Sequence, residues 1–101
     1  MIILKNMIEK EKIRNDRMIR EYEKQLTQLP KGTIIKKEIS SNAYYYLTYR
    51  LQGKVVSQYI GRDLDKIEAL KELIKRRKQI ETFLKKLSEE KATIKKMEEL
   101  L

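Results

Sequence analysis

The sequence predicts an α+β fold: a helix, a three-stranded antiparallel β-meander and a long helix, with the two helices as an antiparallel coiled-coil hairpin. Three observations predict it. The three Gly and the single Pro of 101 residues all lie between residues 30 and 61, leaving long uninterrupted flanks on either side. β-branched and aromatic residues crowd the middle third, whereas both flanks carry apolar residues at three- and four-residue spacing. The length allows one small domain, residues 1–101.

Residues 3–28 read as the first helix. Leu4, Ile8, Met18, Tyr22 and Leu29 recur at helical spacing, with Met7, Ile19 and Leu26 beside them. Between Glu9 and Arg17 only Ile13 is offered to a partner, so the helix is amphipathic at its ends and weak in between. Leu29-Pro30-Lys31-Gly32 stops it, because proline disfavours helical geometry at the preceding residue and has no N–H to donate.

The meander is expected over residues 33–60, with strands at 33–39, 44–51 and 54–60. Ser40-Ser41-Asn42 supplies the first turn and Gln52-Gly53 the second. A two-residue loop at Gln52-Gly53 sets Leu51 opposite Lys54, Tyr49 opposite Val56, Leu47 opposite Gln58 and Tyr45 opposite Ile60. Alternation then gives a core face of Tyr45, Leu47, Tyr49, Val56 and Ile60. The other face carries Tyr44, Tyr46, Thr48, Arg50, Val55, Ser57 and Tyr59.

Residues 65–100 read as one long helix opened by Asp65, with Glu68 as the acidic partner of a capping box. With Leu84 at heptad position a, the seam reads Leu70, Leu73, Ile80, Leu84, Leu87, Ile94 and Leu101, interrupted by Arg77, Lys91 and Glu98. This helix would be about 55 Å long against about 39 Å for the first. Ile94, Met97, Leu100 and Leu101 are therefore expected to overhang and to call for a second chain.

Composition excludes much chemistry. Without Cys or His there is no thiol nucleophile, Ser-His-Asp triad or cysteine-bearing zinc site, so no enzyme, metal or other cofactor is expected. No small-molecule substrate is evident. Glu89-Glu90 and Glu98-Glu99 are adjacent helix residues that do not share a face, and they read as solvated charge rather than a catalytic pair. Gly61-Arg62-Asp63 has one Gly and no Walker pattern, so it reads as a strand-to-helix connector. No apolar run approaches the roughly 18 residues of a membrane span. A cytoplasmic protein with no membrane partner is the expectation.

The chain carries 24 Lys and Arg against 15 Asp and Glu, a net charge of +9. Residues 30–62 hold six basic and one acidic side chain, more than half of that excess. Tyrosine faces can stack on bases while cations neutralise phosphates, which makes Lys31, Lys36, Tyr44, Tyr46, Arg50, Lys54, Tyr59 and Arg62 the candidate nucleic-acid-binding residues. Lys37 is the alternative to Lys36 on the first strand. Lys75-Arg76-Arg77-Lys78 offers a second phosphate contact, or a solvated helix face balanced by Glu72 and Glu81.

The runs Leu29-Pro30-Lys31-Gly32-Thr33, Tyr44-Tyr45-Tyr46-Leu47-Thr48-Tyr49-Arg50 and Gly53-Lys54-Val55-Val56-Ser57-Gln58-Tyr59-Ile60-Gly61 resemble an uncharacterised family of small basic prokaryotic proteins. Their common pattern is LPKG, YYYLxYR and GKVxSxYIG between helices, and the resemblance spans about residues 29–80. The hairpin is also similar to the three-stranded arm-binding domains of phage integrases, whose sheet face enters a DNA major groove. A long helix before the sheet sets this chain apart from them. That family brings no established activity with it; the leading expectation, from the tyrosine and cation surface and the exposed helix seams, is a small nucleic-acid-associated protein of a mobile element or accessory region that forms a homo-oligomer through its helices. The rival expectation is a coiled-coil interaction or assembly module whose sheet only caps the hairpin.

Overall fold

A computed structural model describes residues 2–101. Helix α1 spans Ile2–Leu26, strands β1, β2 and β3 span Thr33–Ile39, Asn42–Leu51 and Lys54–Gly61, and helix α2 spans Leu64–Leu100. The layout is the expected helix, meander and long helix. The strands lie in the order β1-β2-β3, every neighbour antiparallel.

Two tight turns set the register of the sheet. Ile39 faces Asn42 across Ser40-Ser41, and Leu51 faces Lys54 across Gln52-Gly53. All four loop residues have positive φ, the geometry whose twist matches that of the flanking strands. The β2–β3 pairing follows the expected register through Tyr46↔Tyr59. It then slips, and Tyr45 faces Gly61 rather than Ile60. Ile60 is the extra residue of a β-bulge beside Gly61, whose φ of 121° suits glycine. Leu47 is the buried centre of the sheet's core face.

The chain divides into two compact units, Leu29–Lys78 and residues 2–28 with Gln79–Leu101. In the first, Ile67 and Ile74 of α2 are buried while Leu73 is 47 % exposed. The heptad frame through Leu84 therefore fails at this end of α2, where Ile74 lines a cleft with Thr33 and Ile34 of β1. A frame set by a helical partner does not describe a stretch that meets a strand. Arg77, expected to interrupt the seam, instead donates from Nη1 to the Leu29 carbonyl at 2.8 Å and ties the α1–β1 connection to α2. The helix is capped by Asp63 and not by Asp65: the Asp63 carboxylate accepts from the Asp65 N–H at 3.0 Å. Glu68 pairs with Lys71 at 3.2 Å instead of closing a capping box.

In the second unit, α1 and the C-terminal part of α2 meet in antiparallel order. Tyr22 stacks obliquely near Phe83, Asn15 meets Leu87, Arg14 meets Glu90 and Lys12 meets Glu98. Ile80, Leu87 and Ile94 are buried. Leu4 and Ile8 line the same groove as Ile94, so Ile94 has a partner within the chain and does not overhang. Met97 lines that groove as well, at 42 % exposure, and Leu100 and Leu101 are exposed. The middle of α1 also differs from expectation. Ile13 is exposed, and Asn15 is buried at 1 % exposure, its Nδ2 donating to the Leu87 carbonyl at 2.9 Å. Its Oδ1 has no partner. Beside it, Arg14 donates to Glu11 and Glu90; the Glu11 hydrogen bond first, then the charges of Glu11 and Glu90, push the guanidinium further up and keep it charged.

Candidate nucleic-acid interface

The even-numbered residues of β2 carry the candidate surface. Tyr44, Tyr46, Thr48 and Arg50 share one face, since strand side chains alternate, and Tyr59 lies directly opposite Tyr46. The Tyr46 and Tyr59 ring centroids are 5.4 Å apart and those of Tyr44 and Tyr59 6.4 Å, both tilted, so the three rings form one cluster. Tyr59 is exposed, and Val55, opposite Arg50, is exposed as well. The face is open along β3.

Two cations frame the rings. The Lys37 ammonium lies 4.8 Å from the Tyr46 centroid, and the Arg62 guanidinium lies 5.4 Å from that of Tyr44 while donating to Asn42 Oδ1 at 3.1 Å. An extended π surface edged by cations can stack on a base and approach a phosphate at once.

The structure thus brings together Tyr44, Tyr46, Tyr59 and Arg62, and sets Arg50 farther along the same face, opposite Val55. It does not bring Lys36 to them. Lys36 faces Tyr45 on the core-side parity and pairs with Glu38 at 3.2 Å. Lys37, opposite Tyr44, takes its place. The signal was the loop: a three-residue turn leaves the parity of β1 open, whereas the two-residue Ser40-Ser41 loop assigns Lys37 to the tyrosine face. Lys54 lies opposite Leu51 at the hairpin end and, by the same parity, on the core side; Lys31 precedes β1 and is exposed. Both stand outside the ring cluster.

Charge is concentrated in this unit. Twelve of the 24 basic side chains and only five of the 15 acidic ones lie in Leu29–Lys78, which leaves it seven of the nine net positive charges. Among the described residues no group of three or more acidic, Cys or His side chains is placed to hold a metal ion. No described helix is long and apolar enough to cross a membrane.

Residues 8–69 match the domain of unknown function DUF6788, from within α1, through the sheet, into the first turns of α2. The chain belongs to this family. No curated protein and no solved structure matches it. The DUF6788 match contains every candidate contact residue, from Lys31 to Arg62.

Proposed function

We propose that this DUF6788 protein is a small nucleic-acid-binding protein that uses the tyrosine face of its sheet. The observation that carries the reading is the Tyr44–Tyr46–Tyr59 cluster, edged by Lys37 and Arg62 on a unit with a large excess of positive charge. Arg50 adds a cation on the same face, whereas Lys54 lies on the core-side parity and Lys31 precedes β1, so neither is part of the tyrosine face. A three-stranded ribbon can fit the B-DNA major groove, and the integrase arm-binding likeness points the same way, toward DNA and a mobile-element setting.

The test is fluorescence anisotropy of labelled duplex DNA, single-stranded DNA and RNA hairpins across a salt series. Micromolar binding that weakens steeply with salt is expected. Lys37→Ala with Arg50→Ala should weaken it and reduce the slope of log K against log salt by about 2, close to 0.9 for each phosphate no longer neutralised. An unchanged slope would remove the sheet from the site.

A second reading rests on the helices. Ile2 and Ile3 are 80 % and 77 % exposed and Leu100 is 86 % exposed, at the two helix ends that lie together in one unit. Such an apolar end suits a homodimer or a coiled-coil assembly module, with or without nucleic acid.

A further inference from the structure

Resting on the nucleic-acid reading, we infer that the cleft between the start of β1 and α2 is a phosphate seat for a nucleic-acid backbone, held by Lys71, Lys75 and Lys78. The sheet unit has this cleft of about 300 Å³ apart from the tyrosine face. Gly32 and Thr33 form one wall, and Lys71, Ile74, Lys75 and Lys78 the other. No carboxylate lines it.

Spacing along α2 produces the charge. Residues at i, i+4 and i+7 share a helix face, so three ammonium groups point the same way over two turns, with Ile74 buried at the floor. Lys71 is held by Glu68 at 3.2 Å, while Lys75 has no ionic or hydrogen-bonding partner among the described residues. Three ammonium groups beside one cleft hold its potential positive, with Lys75 lacking an acidic partner among the described residues, and a phosphodiester seated there would meet that charge.

The opposite wall is built from the start of β1. Gly32 has φ 124°, and a Cβ there would lie 2.5 Å from the Thr48 carbonyl oxygen, so the close approach of β2 requires glycine at this point of the wall. Ile34, also on this wall, faces Leu47 on the core side of the sheet. The cleft thus lies on the core side of β1, away from the tyrosine rings, and contacts a different part of a bound strand.

The experiment compares Lys71→Ala/Lys75→Ala/Lys78→Ala with a control of equal charge, Lys10→Ala/Lys24→Ala/Lys86→Ala, and with wild type. Alanine keeps the helix, which circular dichroism verifies. Duplex and single-stranded oligonucleotides and anionic phospholipid vesicles are titrated over a salt series, and amide shifts of Gly32 and Thr33 are followed by NMR in wild type. Expected are an affinity loss of about tenfold at 0.1 M salt for the cleft variant, a slope reduced by about 1, little change in the control, and shifts at both amides. If wild type binds oligonucleotides and the cleft variant matches the control, the cleft is not the seat and the tyrosine-face reading stands. If wild type binds no nucleic acid, both readings fall. Vesicle binding lost in the cleft variant, with oligonucleotide binding intact, would overturn the assignment in favour of a lipid phosphate.

Discussion

Replacing Asn15 with Asp puts a carboxylate where the amide now donates to the Leu87 carbonyl, 3.5 Å from a Glu90 oxygen. Burial and two facing acceptors raise the pKa of such an acid in the folded state above its unfolded value near 3.9. Asn15→Asp should therefore approach wild-type stability only below about pH 4, and the deficit should grow as pH rises, reaching a few kcal/mol at neutrality. Urea unfolding at pH 3 and pH 7 measures it. A deficit equal at both pH values would mean that the helix pair opens to hydrate the site. Gly32 gives a second single-residue test. Gly32→Ala must strain a positive φ and drive Cβ against the Thr48 carbonyl, and should lower the unfolding free energy by about 1–3 kcal/mol.

At the level of elements, the β1–β2 loop works against local preference. Ser40 and Ser41 have φ of 49° and 69°, a region costly for residues with a Cβ. Ser40→Asn with Ser41→Gly keeps the turn and removes strain, and should raise the urea midpoint by about 1 kcal/mol equivalent. The gain would also show that this turn, and with it the placement of Lys37, is formed in solution. The N-cap of α2 is equally local. Asp63→Ala frees the Asp65 N–H and should cost about 1 kcal/mol, whereas Asp65→Ala should cost less.

Across the whole molecule, charge and apolar exposure are distributed unequally. The excess of positive charge lies in Leu29–Lys78, while the most exposed aliphatic side chains belong to the helix ends of the other unit. Nucleic-acid affinity should therefore respond to substitutions in the first set and oligomeric state to those in the second. Leu100→Glu with Leu101→Glu should shift sedimentation to a single monomeric species and leave the fold intact, because neither side chain is buried. Ile94 is unsuitable for this test, since its burial between the helices would make a charge there unfold the pair.

The first turn proved one residue shorter than its Ser40-Ser41-Asn42 reading, whereas the order of elements, the Gln52-Gly53 turn and the two faces of β2 were legible in the sequence. Those are short-range properties: alternation has a period of 2, glycine and proline punctuate the chain, and a two-residue loop sets register once its ends are known. The tyrosine face was legible for the same reason. The tertiary structure alone decided whatever depends on which element packs against which. Asn15 is buried because α2 lies across it, although its own neighbours in sequence are polar. Ile67 and Ile74, not Leu73, are buried in the sheet-bearing unit because the packing there does not follow the heptad frame set through Leu84. Arg77 found a carbonyl 48 residues away, and Lys71, Lys75 and Lys78 acquired a facing wall at Gly32, only when the chain folded back. Periodicity states which residues share a face; long-range packing chooses what that face meets.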